Sequence, residues 1–227
     1  MNIYLVGGCV RDKFLGKEPK DIDYAVEAES FEAMRNYLIN DGAKIYLEKP
    51  EYLTIRAKHK NVDADFVLCR NDGLYKDGRR PESTSIGTIY EDLARRDFCC
   101  NSISINIKTN ELLDPFNGRQ DIQDKIIRCT GSVERLSEDY LRMLRAIRFA
   151  ITLGFKLDDE IMVYIDDNWK LLKEIAVERI VDELNKAFTF NMFETIDFLR
   201  NNFKPELSKW LFTHPEIFMK LAVRKEK

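Results

Sequence analysis

The spacing of apolar residues changes its period near Gly131, and this change constrains the fold more than any other feature of the sequence. Before it, segments such as 62–68 and 102–107 alternate apolar and polar residues, and this period of two is typical of strands with one buried face. After it, apolar residues recur every three or four positions from Leu141 to Ile151, which predicts a helix whose apolar stripe is core. We therefore expect an α+β amino-terminal part followed by an all-α part.

Composition bounds the functions that such a chain can have. The chain has 227 residues, of which 44% are apolar, and these values indicate one large or two small folded domains. The formal charge of −3 excludes a uniformly basic surface for nucleic acids. Residues 200–227 do contain seven Lys or Arg against three Glu, a local excess that is typical of an RNA contact or of an ordinary solvated helix.

Cysteine usage and hydropathy indicate where the protein works. The five cysteines include no C-x-x-C pair, and their odd number argues against a disulfide framework or a zinc site. No apolar run approaches the roughly 18 residues of a membrane span. The first residues are interrupted too early by glycine for a signal peptide. We expect a cytoplasmic protein.

The main chemical signal is the pair of carboxylates Asp21 and Asp23. Residues i and i+2 of a strand point the same way, so both could bind Mg²⁺, which prefers oxygen ligands. In the predicted strand 62–68, the apolar alternation leaves Asp63 and Asp65 on the other face, and either could supply a third ligand. The D-x-D spacing alone is also frequent in surface strands and turns.

A second signal precedes the carboxylates. Gly7 and Gly8 follow a short apolar run and lead into a predicted helix that carries Arg11. Glycines let a backbone approach a ligand closely, and the amino terminus of a helix favours anions. This segment could therefore hold a triphosphate, with Arg11 adding a charged contact. A plain strand–helix turn is the alternative interpretation.

Five motifs between residues 3 and 188 occur in the order found in one enzyme family. They are Tyr4–Asp12 with Asp21–Asp23, Arg95–Phe98 with Asn101, Asp114–Gly118 with Asp121, Glu138–Ala146, and Glu178–Arg179 with Glu183–Leu184. Together they resemble the class II tRNA nucleotidyltransferases, which comprise CCA-adding enzymes and bacterial poly(A) polymerases. The resemblance implies a polymerase-β-like nucleotidyltransferase head, with a mixed, antiparallel-rich sheet and helices on one face, followed by an all-α neck and a short helical body.

The resemblance also implies roles for individual residues. Asp21, Asp23 and Asp65 would be catalytic and would bind two Mg²⁺ ions, which selects Asp65 over Asp63. The residues implied to bind the nucleoside triphosphate, CTP or ATP, are Gly7, Gly8, Arg11, Arg96, Asp97, Asn101, Asp139, Arg142, Arg145 and Arg148.

Asp139 and Arg142 are implied to form a template for the incoming base. Positions i and i+3 lie on one face of a helix, and a carboxylate beside a guanidinium can match the Watson–Crick edge of cytosine or adenine. Spacing alone favours a simple Glu138–Arg142 ion pair instead. We expect Glu178, Arg179 and Glu183 to brace the template helix rather than to touch substrate.

One segment stands out by its composition as a functional loop. Residues 73–88 include three glycines, one proline and many polar residues. Loops of this length are often functional or mobile. The resemblance implies that this loop governs the switch from C to A addition.

The chain departs from the family in length, because only about 40 residues follow the last motif. We expect a catalytic head at 1–130, a neck at 131–190 and a body remnant at 191–227. The candidates for contact with tRNA in that remnant are Lys204, Lys209, Lys220 and Arg224. A homodimer could supply further grip on the RNA.

The expected function is addition of CCA to the 3′ end of tRNA from CTP and ATP, by two-metal phosphoryl transfer that releases pyrophosphate. Enzymes of the same family that add only C, only A or a poly(A) tail are alternatives, because one template site serves all of them. Nucleotidylation of a small molecule is a more distant alternative. A non-catalytic module that binds RNA ends is the alternative of another class.

Overall fold

The computed structural model describes residues 1–223, and these fall into two compact units. The first unit comprises Met1–Leu74 and Pro81–Asp124, and the second comprises Tyr75–Arg80 and the chain from Lys125 onward. Strands dominate the first unit and helices the second, so the α+β organisation predicted from the change of period is confirmed. No helix within residues 1–223 is long and apolar enough to cross a membrane.

A seven-stranded sheet forms the centre of the first unit. The strands of this unit are β1 Asn2–Val6, β2 Ile22–Glu27, β3 Lys44–Lys49, β4 Thr54–His59, β5 Val62–Leu68, β6 Arg70–Asp72, β7 Thr84–Ile86, β8 Ser104–Asn106 and β9 Leu112–Leu113. The helices of this unit are α1 Gly8–Phe14, α2 Phe31–Asn40, α3 Ile89–Ala94 and α4 Gly118–Asp124.

The order of strands in this sheet is β3-β4-β5-β2-β1-β8-β9. The strands β2 and β5 are parallel, and the other neighbours are antiparallel. The mixed, antiparallel-rich sheet that the resemblance implied is therefore confirmed. The strands β6 and β7 pair separately as a short antiparallel ribbon.

Alternation along β5 separates the core from the opposite face of the sheet. Ala64, Phe66 and Leu68 are buried, and Phe66 stacks on Tyr24 of β2 with ring centroids 4.9 Å apart. Val62, the first residue of the strand, is 42% exposed and does not reach the core. Burial of a large apolar side chain contributes roughly 1.5–3 kcal/mol, so these residues determine which face of β5 is turned toward the core. The residues between them then lie on the opposite face of the sheet.

One predicted strand is shorter than expected. Of the segment 102–107, only Ser104–Asn106 forms a strand, because Cys99–Asn101 form a 3₁₀ turn just before it. Ile103 is fully buried although it precedes the strand, and Ile107 is 46% exposed. The apolar alternation thus extends one residue beyond each end of the strand, at Ile103 and Ile107, and overstates its length.

The predicted loop 73–88 is partly ordered as a β-ribbon, because Thr84–Ile86 forms β7. Its residues Tyr75–Arg80 belong to the second unit, where the carbonyl of Gly78 accepts a hydrogen bond from the backbone N–H of Tyr140 at 3.0 Å. Gly78 has a φ of +64°, and a Cβ there would overlap the ring of Tyr140. Both the backbone conformation and the packing therefore require glycine at this contact.

The second unit is built around two helices, α6 and α8, that pack along each other. Its helices are α5 Arg135–Glu138, α6 Leu141–Leu153, α7 Asp159–Asn168, α8 Val177–Asn202, α9 Pro205–Thr213 and α10 Pro215–Val223. Its strands are β10 Ile126–Ile127 and β11 Lys156–Leu157, which form a parallel pair. The predicted apolar stripe of α6 is confirmed as core, since Leu141, Leu144, Ile147 and Ile151 are all buried.

The helix α8 is kinked at Asn191, where φ is −160° and ψ is 104°. The side chain of Asn191 accepts a hydrogen bond from the backbone N–H of Glu194 at 3.1 Å. This contact caps the turn that follows, so the helix restarts there. The boundary that we predicted between neck and body, after residue 190, stays a prediction, because both sides of the kink belong to the second unit.

Replacing Gly78 with Ala is expected to lower the free energy of unfolding by about 2–4 kcal/mol, because it adds left-handed strain and overlap with the Tyr140 ring. Gly154 is the matched control: its φ is +69° at the end of α6, and no heavy atom of the described residues lies within 4 Å of where a Cβ would be. Gly154→Ala should lose only the strain, about 1–2 kcal/mol. Urea unfolding followed by circular dichroism measures both, and equal losses would show that the Tyr140 contact adds nothing.

Candidate functional site

The register between β2 and β5 brings two of the predicted carboxylates side by side. Asp23 and Asp65 are partners across these parallel strands. Asp63 lies before Ala64, the first residue of β5 that pairs with β2, and it accepts a hydrogen bond from the hydroxyl of Tyr46 at 2.6 Å. The register therefore favours Asp65 as the third carboxylate, a choice that the strand face alone left open.

Asp21 adds a further negative charge to this pair. It is exposed and immediately precedes β2. Burial raises the pKa of Asp23 above its ordinary value; Arg96 opposes this shift, and the charges of Asp65 and Asp21 add to it. A carboxylate whose ionised form is disfavoured in this way is stabilised by a nearby cation. The three carboxylates thus form an electronegative cluster that suits a positively charged ligand.

Oxygen donors of this kind fit Mg²⁺, which often takes one or two carboxylates and completes its coordination with water and phosphate. Asp21 and Asp23 supply two such groups. Both oxygens of Asp65 accept hydrogen bonds from the guanidinium of Arg56, with Nε–Oδ1 and Nη2–Oδ2 each at 2.6 Å. In the part of the chain that the structure describes, no group of three or more His, Cys, Asp or Glu side chains is arranged to hold a metal ion. The donors therefore fit a cation at Asp21 and Asp23, with Asp65 beside them in register but bound to arginine.

Gly7, which has no side chain, lies beside this cluster of carboxylates. Gly7 has a φ of +74°, and a Cβ there would lie 3.0 Å from Nη1 of Arg96 and 4.0 Å from Oδ2 of Asp23. The missing side chain leaves open the space next to one arginine and one carboxylate. The turn predicted to hold triphosphate is therefore close both to a positive side chain and to a predicted metal ligand.

The orientation of Arg96 is fixed by a residue that sequence patterns did not single out. Nη2 of Arg96 donates to the buried carboxylate of Asp92 at 2.9 Å. Burial acts to raise the pKa of Asp92, but the guanidinium groups of Arg96 and Arg95 outweigh it and hold the pKa below its usual value. An acid four residues before an arginine near the end of a helix is a signal that could have found this pair.

Three predicted nucleotide-binding residues form one chain of hydrogen bonds. Nη1 of Arg11 donates to Oδ1 of Asn101 at 2.7 Å, and Nδ2 of Asn101 donates to Oδ1 of Asp97 at 3.3 Å. All three side chains are buried, and Arg11 also forms an ion pair with Asp12 at 2.7 Å. Burial with mutual partners fixes these side chains relative to one another.

In the second unit, the predicted template residues do not share a helix face. Asp139 has a φ of −139° and a ψ of 106° between α5 and α6, and its carboxylate accepts a hydrogen bond from the backbone N–H of Leu141 at 3.1 Å. The expectation of a shared face at i and i+3 is therefore wrong, because the helix is broken at the first of the two positions. Nη1 of Arg142 donates to Glu138 at 2.7 Å, so the ion pair that spacing favoured does form.

Residues of α8 contact this region from within the same unit. Nη2 of Arg179 donates to both oxygens of Asp139, at 2.8 and 3.2 Å. Nε of Arg148 donates to the buried carboxylate of Glu183 at 2.6 Å. Burial acts to raise the pKa of Glu183, but Arg148, Lys186 and Arg145 together outweigh it and keep the pKa below its usual value. The ion pairs thus connect α8 to the break before α6 and to α6 itself.

The two further arginines of α6 flank one aromatic ring. The guanidinium carbons of Arg145 and Arg148 lie 5.4 and 4.0 Å from the ring centroid of Phe149. Such cation–π contacts orient an arginine side chain. Both arginines are half-buried, and their contact with a nucleotide stays a prediction.

The lysines predicted to contact RNA are partly neutralised. Lys204 forms an ion pair with Asp167 at 3.0 Å, and Lys220 forms one with Glu178. A paired lysine attracts phosphate less than an unpaired one, so an RNA contact at this end of the chain stays a prediction. The other two candidates, one exposed and one outside the described residues, are Lys209 and Arg224.

Two family models match this chain. The model described as "Poly A polymerase head domain" matches residues 3–128. The model described as "Probable RNA and SrmB- binding site of polymerase A" matches residues 154–196. The first covers the sheet and the carboxylate cluster, and the second lies within the helical unit.

Curated relatives carry the name CCA-adding enzyme. The one from Geobacillus sp. (strain WCH70) is 40% identical over 187 residues, which cover 81% of this chain and 44% of the relative. The one from Limosilactobacillus reuteri (strain DSM 20016) is 38% identical over 187 residues, with the same coverage of 81% and 44%. The chain therefore spans less than half the length of these relatives.

The chain is also similar to solved structures of enzymes that carry this name or the name tRNA nucleotidyltransferase. The Bacillus stearothermophilus CCA-adding enzyme in complex with CTP matches with a TM-score of 0.77 and 30% identity, over 97% of this chain and 53% of that chain. A tRNA nucleotidyltransferase complexed with a primer tRNA and an incoming ATP analogue matches with a TM-score of 0.77 and 29% identity, over 99% of this chain and 64% of that chain. Because the head-domain model matches more than half of the residues, the chain belongs to the poly(A) polymerase head domain family, which agrees with its five ordered motifs.

Proposed function

We propose that the chain transfers nucleotides from nucleoside triphosphates to the 3′ end of tRNA, adding C, C and A from CTP and ATP. The observation that carries this proposal is the pairing of Asp23 with Asp65 beside Gly7 and Arg96, with Asp21 immediately before the strand that carries Asp23. Relatives that are 38% and 40% identical are CCA-adding enzymes. Similar solved structures are complexes with CTP and with a primer tRNA and an ATP analogue.

In this proposal, Asp21, Asp23 and Asp65 hold two Mg²⁺ ions. Such ions, when bound, lower the pKa of an attacking hydroxyl and stabilise the leaving pyrophosphate. Phosphoryl transfer otherwise needs mainly positioning and neutralisation of charge. The guanidinium groups of Arg96 and Arg11 supply positive charge for the triphosphate, because each is already oriented by fixed polar partners.

Nucleotide choice belongs to the second unit in this proposal. The carboxylate of Asp139 accepts and the guanidinium of Arg142 donates, and together they match the base edge of cytosine or adenine. Guanine and uracil present a different order of donors and acceptors. Arg179 and Glu138 support the assignment, because they hold the two side chains in defined orientations through ion pairs.

The alternatives use the same residues and are separated by one assay. Purified protein receives a tRNA lacking its last three nucleotides, Mg²⁺, and each nucleoside triphosphate alone and in mixture, and the products are sequenced. Addition of CCA supports the proposal, whereas C alone, A alone or an A tail assigns the chain to one of the related activities. Binding of the tRNA without any incorporation would indicate a non-catalytic module.

Asp23→Asn should reduce nucleotide incorporation by about a thousandfold or more, because the loss of a metal-binding charge removes several kcal/mol of transition-state stabilisation. Asp63→Asn is the matched control, since Asp63 lies on the same strand as Asp65 but is bonded to Tyr46; its rate should stay close to that of the parent protein. Incorporation of labelled CTP measures both rates. Full activity of the Asp23 variant, or equal losses in the two variants, would refute the assignment of the metal site.

Arg142→Ala should change the ratio of kcat/KM for CTP to kcat/KM for ATP by about tenfold, because the variant lacks a donor that reads the base edge. Arg128→Ala is the control: it removes an arginine of the same unit that pairs with Asp158 at 2.9 Å, and the ratio should not change. Steady-state kinetics on primers that await C or A give both ratios. Parallel losses for the two nucleotides would contradict a role of Arg142 in base selection.

A further inference from the structure

One charged residue beside the carboxylate cluster has no role in the proposed reaction. Arg56 lies on β4 directly opposite Asp65 on β5, and Asp65 in turn lies opposite Asp23 on β2. The three residues therefore form a row across three adjacent strands. The guanidinium of Arg56 binds both oxygens of Asp65 with two hydrogen bonds of 2.6 Å. These are the oxygens that a cation would need.

We propose that Arg56 competes with the divalent cation for Asp65, so that metal binding separates the arginine from the carboxylate. This inference rests on the proposed function, because it takes the metal site of Asp21, Asp23 and Asp65 as given. Arg56 is then a positioning residue: it sets the affinity for metal through Asp65 and does not itself touch the cation.

Charge balance favours such an exchange. Asp21, Asp23 and Asp65 carry three negative charges, and the two arginines that act on Asp23 are Arg96 and Arg56. A divalent cation added to this set would give an excess of positive charge if both arginines stayed in place. Like charges at short distance repel, so one arginine is expected to leave when the cation enters.

Exposure identifies Arg56 as the arginine that leaves. Its side chain is 59% exposed, and the carboxylate that it binds is 26% exposed. Exposed ion pairs contribute little to stability, so a guanidinium that moves into water loses little. Arg96 is 21% exposed and is held by Asp92, whose side chain is 1% exposed. Arg95 binds Oδ1 of Asp92 and Arg96 binds Oδ2, so removing Arg96 would leave one oxygen of this buried carboxylate without its ion pair, which is costly.

The test measures metal binding in the absence of nucleotide and RNA. Mn²⁺ serves as the probe, and electron paramagnetic resonance counts the free ion as protein is added. Arg56→Gln should tighten Mn²⁺ binding by about tenfold, the size expected for coupling between contacting charges. Arg35→Gln is the matched control, because it breaks an exposed Arg35–Glu48 pair of 2.9 Å in the same unit, and it should leave the affinity unchanged. Thermal unfolding establishes that each variant is folded.

A double-mutant cycle distinguishes competition between Arg56 and the cation for Asp65 from long-range repulsion of the cation by the charge of Arg56. In an Asp65→Asn background, Arg56→Gln should no longer change the affinity for Mn²⁺, because the competition acts through Asp65 alone. An equal gain in both backgrounds would show that Arg56 acts only through its charge, and no gain in either would show no competition; both results overturn the proposal. Mn²⁺ binding that Asp23→Asn does not weaken would instead overturn the metal site, and with it the function proposed above.

Discussion

The parallel pairing of β2 with β5 is the constraint on which the candidate site depends. Ala64, Phe66 and Leu68 are buried on one face of β5, and a slip of one residue would turn all three toward solvent. The same register holds Asp65 beside Asp23 on the other face. Burial of the core therefore determines the geometry of the carboxylates, because the two faces of one strand cannot shift independently.

A second layer of contacts orients the positive side chains around this pair. Asp92 is buried and holds Arg96, and Asn101 is buried and holds Arg11. Both partners have short side chains close to the backbone, so they lose little conformational freedom on folding. The long arginines gain a fixed direction from them, and this matters in a reaction that depends on positioning more than on covalent chemistry.

Local patterns in the sequence predicted the parts of the site that are themselves local. Asp21 immediately precedes β2 and Asp23 lies two residues further along, within that strand, and the glycine turn at Gly7 directly follows β1. The choice of Asp65 over Asp63 needed the resemblance, because alternation places both on one face. Only the pairing with β2 distinguishes them, and that pairing joins segments distant in the sequence.

The residues that the sequence did not reveal depend on tertiary contacts. Arg56 becomes important only because β4 and β5 are neighbours in a particular register. The expected placement of Asp139 and Arg142 on one helix face assumed a continuous helix, but Asp139 leaves the helical conformation, accepts a hydrogen bond from the backbone N–H of Leu141 and binds Arg179. Aspartate side chains compete in this way with the helical backbone. The partner on α8 that stabilises the break is likewise invisible to local periodicity.

The candidate groups of both units share one arrangement of charges. Asp65 binds Arg56 and Arg96 binds Asp92, while Asp139 binds Arg179. The buried charge of Asp92 needs a partner because a charge removed from water without one costs several kcal/mol, whereas the exposed Arg56 can leave its partner at little cost. Where a ligand takes the place of such a partner, the ion pair within the protein is replaced by one between protein and ligand. The net binding free energy is then the small difference between the free energies of the two ion pairs. A ligand of the wrong shape would displace the protein's own partner without replacing its charge. Exchange of ion pairs therefore lowers the affinity for every ligand but lowers it most for the wrong one, which increases selectivity between ligands.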